Sequence, residues 1–129
     1  MVFLCAPKHA FAGRTDVTLE ELLQENLLLT ERWCNYRHSF ECICDRYQMQ
    51  LRSSLEIGCT NTILQFTEHN LGVTFLPRLT AQASLYAKRL SDFSVKEVSM
   101  RMLIQLVYRK SMWCTPAMQA FIEKVIKCS

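Results

Sequence analysis

A chain of 129 residues is long enough for one domain with one core. Half its residues are hydrophobic and 21% are charged, which is ordinary for a globular protein; a net charge of +3, with no Lys/Arg run beyond two residues, gives no electrostatic footprint for nucleic acid. Apolar runs are short, Leu27–Leu29 among them, which excludes a membrane-spanning helix, and the opening MVFLCAPKHAFAG lacks the leading basic residues of a signal peptide.

Val2–Cys5 reads as a short strand stopped by Ala6-Pro7, and residues 11–14 as a turn. Thr18-Leu19-Glu20-Glu21 is a capping box opening a short helix whose apolar face is Leu19, Leu22 and Leu23. Leu27–Thr30 is a buried strand, and residues 31–35 form a polar turn with an exposed Trp33. The spacing of Tyr36, Phe40, Ile43 and Tyr47 predicts a helix facing the core with that stripe. Leu51–Ile57 alternates as a strand. Residues 58–61 turn into a helix with Ile63, Leu64 and Leu71 inward and Gly72 as its C-cap. Val73–Leu76 is the next strand, and Pro77 opens a helix to about Tyr86. Residues 88–99 carry at most one short strand, Met102–Tyr108 reads as a strong one, and Thr115-Pro116 starts an amphipathic helix on Met118, Phe121, Ile122, Val125 and Ile126.

Strand–helix–strand–helix–strand between Leu27 and Leu76 predicts parallel strands with right-handed crossovers. In such sheets ligands bind beyond the carboxyl ends of strands, here Thr30-Glu31, Gly58-Cys59 and Leu76-Pro77. Helix N-termini at Asn35-Tyr36-Arg37 and Cys59-Thr60-Asn61 point free N–H groups into that space, which favours an anionic, carboxylate-bearing metabolite.

The cysteines number seven, so a fully paired framework within one chain is excluded. Without an export signal the expected compartment is the reducing cytoplasm, with most thiols free and packing as small hydrophobes, among them Cys5, Cys59, Cys114 and Cys128. Cys42 and Cys44 lie roughly 200° apart on a helix and do not share a metal; Cys34 and His38 share a face, but two ligands do not make a site. No metal and no cofactor is assigned. The chain has no GxSxG, no P-loop and no GxGxxG, and it reads as a non-enzyme.

The pieces FLCAPKHAFAGRTDVTLEELLQENLLLTERWCNYR, LEIGCTNTILQFTEHNLGVTFLPR, LIQLVYRKS and TPAMQAFIEKV, in that order, resemble the distal portion of the effector-binding domain of LysR-type transcriptional regulators over nearly the full length. The resemblance implies an α/β fold like type 2 periplasmic binding proteins, a mostly parallel βαβαβ lobe with helices on both faces. Residues 17–101 would form the second lobe; 1–16 and 102–129 would be crossover strands and a helix belonging to the first. The winged helix-turn-helix that binds DNA in the family has no counterpart here, so the chain reads as a fragment, expected to form dimers or higher oligomers.

Candidate effector contacts follow from the strand-end rule and that resemblance. Thr30 ends the central strand, where hydroxyls in the family can contact effector, although a turn-forming threonine fits too. Glu31 follows it. Arg37 can pair bidentately with a carboxylate or simply be solvated, and Tyr36 also fits the helix core stripe. Cys59 and Thr60 occupy the next turn as candidate contacts, although a Thr60 that simply caps its helix fits too. Phe75, Leu76 and Pro77 would form an apolar rim or belong to the core. Some family members sense oxidants through a disulfide in this lobe; Cys34 and Cys42 are the redox candidates, able to pair only if the helix start unwinds. The alternatives to an effector-sensing domain are a thiol switch and a solute-binding protein of the same fold.

Overall fold

The structure, a computed structural model, describes residues 1–102, 105–109, 111 and 113–127. The elements are β1 (Val2–Cys5), α1 (Leu19–Leu23), β2 (Leu28–Leu29), α2 (Asn35–Arg46), β3 (Leu55–Glu56), α3 (Thr60–Glu68), β4 (Thr74–Leu76), α4 (Arg78–Tyr86), β5 (Ser91–Phe93) and α5 (Pro116–Lys127). The expectation of parallel strands holds: β2 pairs parallel with β3, and a parallel bridge Leu27–Val73 joins β2 to β4. Val2–Cys5 contributes more than a crossover. It lies between β4 and β5, antiparallel to both, so the sheet is mixed and its order runs β3-β2-β4-β1-β5 through the bridge.

Alternate residues of the strands feed two cores, one on each face. Phe3, Leu27, Leu29, Val73 and Phe75 point to the face covered by α1 and α2, where Leu19, Leu22, Phe40 and Cys44 meet them. Leu4, Leu28 and Leu76 point to the face covered by α3 and α4, with Ile63, Leu64 and Ala81. The first core is aromatic: Phe3 lies 4.5 Å from Phe75 and 5.5 Å from both Phe40 and Phe93 between ring centroids.

The capping box on α1 forms as expected. Thr18 Oγ1 accepts from the Glu21 N–H at 3.2 Å, and the Glu21 carboxylate accepts from the Thr18 N–H at 2.7 Å. Three expectations are corrected. The inward stripe of α2 is Arg37, Phe40 and Cys44, with Tyr47 exposed, because the Arg37 guanidinium turns inward to the end of β2. The helix α3 ends at Glu68 with Asn70 in the left-handed region, φ 59°, and Leu71 exposed, so Gly72 is no C-cap. Its requirement is close approach: a Cβ there would sit 2.3 Å from the Asn26 carbonyl oxygen, against which Val73 N–H bonds at 2.8 Å. The strand expected over Leu51–Ile57 shrinks to Leu55–Glu56 on the outer edge of β2.

Cys5 and Cys44 are buried, as packing thiols should be, whereas Cys59 and Cys114 are exposed; Cys128 lies outside the described residues. Within the Met102–Tyr108 span, residues 103 and 104 lie outside the described residues, and the others are in no strand. The helix α5 forms, but none of its residues is buried against the described part of the chain, and Phe121 and Ile126 are exposed.

On β4, the Thr74 hydroxyl is buried with no hydrogen-bond partner among the described residues. Burying an unpaired hydroxyl costs free energy, so Thr74→Val is expected to raise stability by about 1 kcal/mol in a denaturant titration. A loss of that size would show the hydroxyl to be bonded in solution.

Candidate functional site

The parallel strands β2 and β3 end side by side, and the turns that leave them, 30–35 and 57–60, run into the N-termini of α2 and α3. An open groove of ≈ 830 Å³ lies along this edge, lined by Glu31, Arg32, Trp33, Asn35, His38, Glu41 and Glu56. Sequence reasoning picked only Glu31 of these. The others share no motif: Arg32 and Trp33 lie in the turn after β2, Asn35, His38 and Glu41 on α2, and Glu56 at the end of β3.

Thr30 sits where the strand-end rule placed it, and its hydroxyl is buried beside the Tyr36 phenol. Its carbonyl accepts from Arg37 Nη1 at 2.5 Å. The tyrosine that follows in the turn, Tyr36, is half-buried against the second core. Burial, reinforced by the neighbouring Cys34 thiol, pushes the Tyr36 phenol up to about 12, with the Thr30 hydroxyl acting the other way.

Arg37 does not occupy the position of a free carboxylate clamp. It is 3% exposed, and its donors go to the Thr30 carbonyl, to Glu41 Oε1 (3.0 Å) and to Glu56 Oε1 (2.8 Å). The accessible cation of the groove is Arg32, 76% exposed at its side chain, with one ion pair at 3.7 Å to Glu56. Glu31 is exposed, and its carboxylate folds over Gly58, where an added Cβ would meet Glu31 Oε1 at 2.9 Å.

Cys59 is the N-cap residue of α3, and Thr60 is the first helical residue and not the cap. The Thr62 hydroxyl, then the N–H groups of Thr62 and Asn61, hold the Cys59 thiol below the ordinary range. Burial raises Cys5 to about 12 and Cys44 to about 11, in each case helped by nearby carboxylates. Under limiting maleimide at neutral pH, mass spectrometry should find Cys59 labelled well before Cys5 or Cys44; equal labelling of the three would contradict these environments. Cys34, the N-cap of α2, and Cys42 are eight positions apart, about 12 Å along the axis at 1.5 Å per residue. A disulfide brings Cα atoms to roughly 4.4–6.8 Å, so the folded helix keeps them apart. Cys42 instead lies 3.7 Å from His38 Nε2 on the exposed face.

The rim expectation fails for Phe75 and Leu76, which are buried on opposite faces of β4 because helices cover both. Pro77 is half-buried and precedes α4 as its N-cap, with ψ 132°.

Glu56 carries a pH signature. Hydrogen bonds from Arg37 first, then Ser53, hold its carboxyl below the usual range. Its folded-state pKa is depressed, so the stabilisation is complete above the unfolded glutamate value of about 4.3 and is lost as pH falls through the lowered one. The thermal stability of wild type should exceed that of Glu56→Gln at neutral pH, and the gap should close on acidification below about pH 4. A gap independent of pH would contradict the ion pair.

The family model for the LysR substrate binding domain matches residues 1–127. The HTH-type transcriptional regulator CbbR of Rhizobium meliloti (strain 1021) is 30% identical over 127 residues, covering 98% of this chain and 41% of that protein. The uncharacterized HTH-type transcriptional regulator YwqM of Bacillus subtilis (strain 168) is 30% identical over 120 residues, 93% of this chain and 40% of that protein. The chain thus spans about two fifths of the length of these curated relatives. In fold it is similar to the effector binding domain of QuiR in complex with shikimate (TM-score 0.80, 16% identity, 98% of this chain and 59% of that one). It is equally similar to the regulatory domain of Synechocystis PCC6803 CcmR in complex with 2-PG (TM-score 0.79, 16% identity, 98% and 61%). A match over 127 of 129 residues, on a sheet whose strand ends and helix N-termini meet at one edge, makes this chain a member of the LysR substrate-binding domain family.

Proposed function

We propose that this chain is the distal part of an effector-binding domain and that it holds a small anionic ligand at the edge where β2 and β3 end. The observation that carries this reading is the accessible Arg32 beside the start of α2 in one groove, at the edge where the parallel strands β2 and β3 end and their turns enter α2 and α3. Shikimate and 2-PG, held by structurally similar domains, are small acids of the kind such an edge suits. Thr30, Glu31, Tyr36, Cys59, Thr60 and Pro77 remain the candidate contacts, and Arg32 joins them. Residues 17–101, with β1 inside their sheet, serve as one lobe, and the chain after residue 101 leads to the other.

In the whole regulator the ligand sits between two lobes and shifts their geometry, and a helix-turn-helix domain outside this chain responds. Coupling of this kind needs different affinities for the two states. The parent works as a homodimer or higher oligomer in the cytoplasm, and the domain senses without catalysing a reaction. Among the described residues no helix is long and apolar enough to cross a membrane.

The test is calorimetry with shikimate, 2-PG and related small carboxylates under reducing conditions, on wild type, Thr30→Ala and Arg32→Ala. Losing one hydrogen bond to a charged ligand costs about tenfold or more in affinity. A binder whose affinity is the same in all three proteins would contradict this placement.

A further inference from the structure

Arg37 draws attention because the ligand reading has no use for it: it is buried, yet it spends its donors on three separate segments. One donor takes the Thr30 carbonyl at the end of β2, one takes Glu41 a turn further along α2, and one takes Glu56 on β3. The start of the groove-lining turn and the end of β3 therefore hang from a single guanidinium. Glu56 gathers the rest, accepting also from Ser53 at 3.0 Å and pairing with Arg32 at 3.7 Å. Of the two arginines on Glu56, Arg37 is the fixed arm and Arg32 the exposed, loosely held one.

We propose that Arg37 and Glu56 form a positioning pair that sets the geometry of the loop Glu31–Cys34, with the Arg37 side chain buried out of the ligand's reach. The value of this for effector binding rests on the reading above. The planar fork of arginine reaches several acceptors in fixed directions, which a lysine ammonium on a flexible stem does not. With the Arg37–Glu56 bond broken, the loop still has the Cys34 N–H on the Glu31 carbonyl (3.0 Å) and the His38 N–H on the Cys34 carbonyl (3.0 Å), while Glu56→Gln also removes the Arg32–Glu56 ion pair (3.7 Å). On the β3 side, the Ile57 N–H holds the Leu29 carbonyl at 3.0 Å. The Cys34 and Ile57 amides report on the two turns directly.

The experiment is site-resolved amide hydrogen exchange on the full chain with no ligand added, comparing wild type, Arg37→Lys and Glu56→Gln. Glu56→Gln acts on a partly exposed side chain, so it reports even if Arg37→Lys folds poorly. In both variants Cys34 and Ile57 should exchange about tenfold faster while Phe3, Leu4 and Phe75 in the central sheet stay within about twofold. A spectroscopic companion uses Trp33, one of two tryptophans, in a Trp113→Phe background: its fluorescence anisotropy should decay faster in Glu56→Gln. Unchanged exchange at Cys34 and Ile57 overturns the proposal, and so does a uniform rise across all amides, which means general loss of stability. Because no effector enters the assay, a failure here is separate from a failure to bind one.

Discussion

Gly72→Ala is expected to destabilise the fold by about 3 kcal/mol, lowering the thermal midpoint by roughly 10 °C for a domain of this size. The Asn26 carbonyl oxygen lies 2.3 Å from where the new Cβ must go, and this oxygen belongs to the backbone junction that holds β2 beside β4. Neither partner can swing aside without giving up the Val73–Asn26 hydrogen bond or the Leu28–Val73 bond next to it. Gly58→Ala is the control. Its Cβ meets only the far end of the Glu31 side chain, which can rotate into solvent, so its cost should stay below about 1 kcal/mol. Equal midpoints for the two variants would contradict the close approach at Gly72.

Phe40→Ala should be the most damaging core change, at about 3–5 kcal/mol by chemical denaturation. Phe40 is fully buried, edge-on to Phe3 at 5.5 Å and 5.2 Å from Phe75, and it is the main apolar anchor of α2 on the sheet. Phe40→Leu keeps most of the buried volume and should cost about 1–1.5 kcal/mol. If alanine and leucine cost the same, α2 is not held by this ring. The consequence reaches the site, since α2 carries Arg37 and follows the groove-facing turn.

The features that were legible in the sequence are those set by local chemistry. The α1 capping box, the β2–α2–β3–α3–β4 alternation and the edge where those strands end all follow from residue spacing. The features that were not legible depend on partners distant in sequence. Apolar periodicity placed Tyr36 and Tyr47 inward on α2; a buried guanidinium held by Thr30 and Glu56 carries no apolar signal, so Arg37 read as exposed. Phe75 looked like a rim because strand ends line ligand edges, yet helices on both faces of β4 bury it and Leu76. Gly72 sits near a helix end, but its need comes from Asn26, 46 positions earlier in the chain. The place of β1 at the centre of the sheet is likewise a matter of long-range pairing.

The same division holds within the candidate site. Thr30, Glu31, Cys59 and Thr60 were chosen because they end or follow parallel strands, and of these Glu31 lines the groove. Arg32, His38 and Glu56 were not picked because only folding brings them to one groove, and the exposed cation there is Arg32 while Arg37 is buried.

The most direct test of the central claim is amide chemical-shift mapping of the chain, under reducing conditions, against a panel of small carboxylic and phosphorylated acids. The account predicts saturable shifts confined to residues 30–35 and 58–62, weakened in Arg32→Ala. Saturable shifts confined instead to the cavity between residues 106–109 and α5, or an identical response in Arg32→Ala, would contradict it.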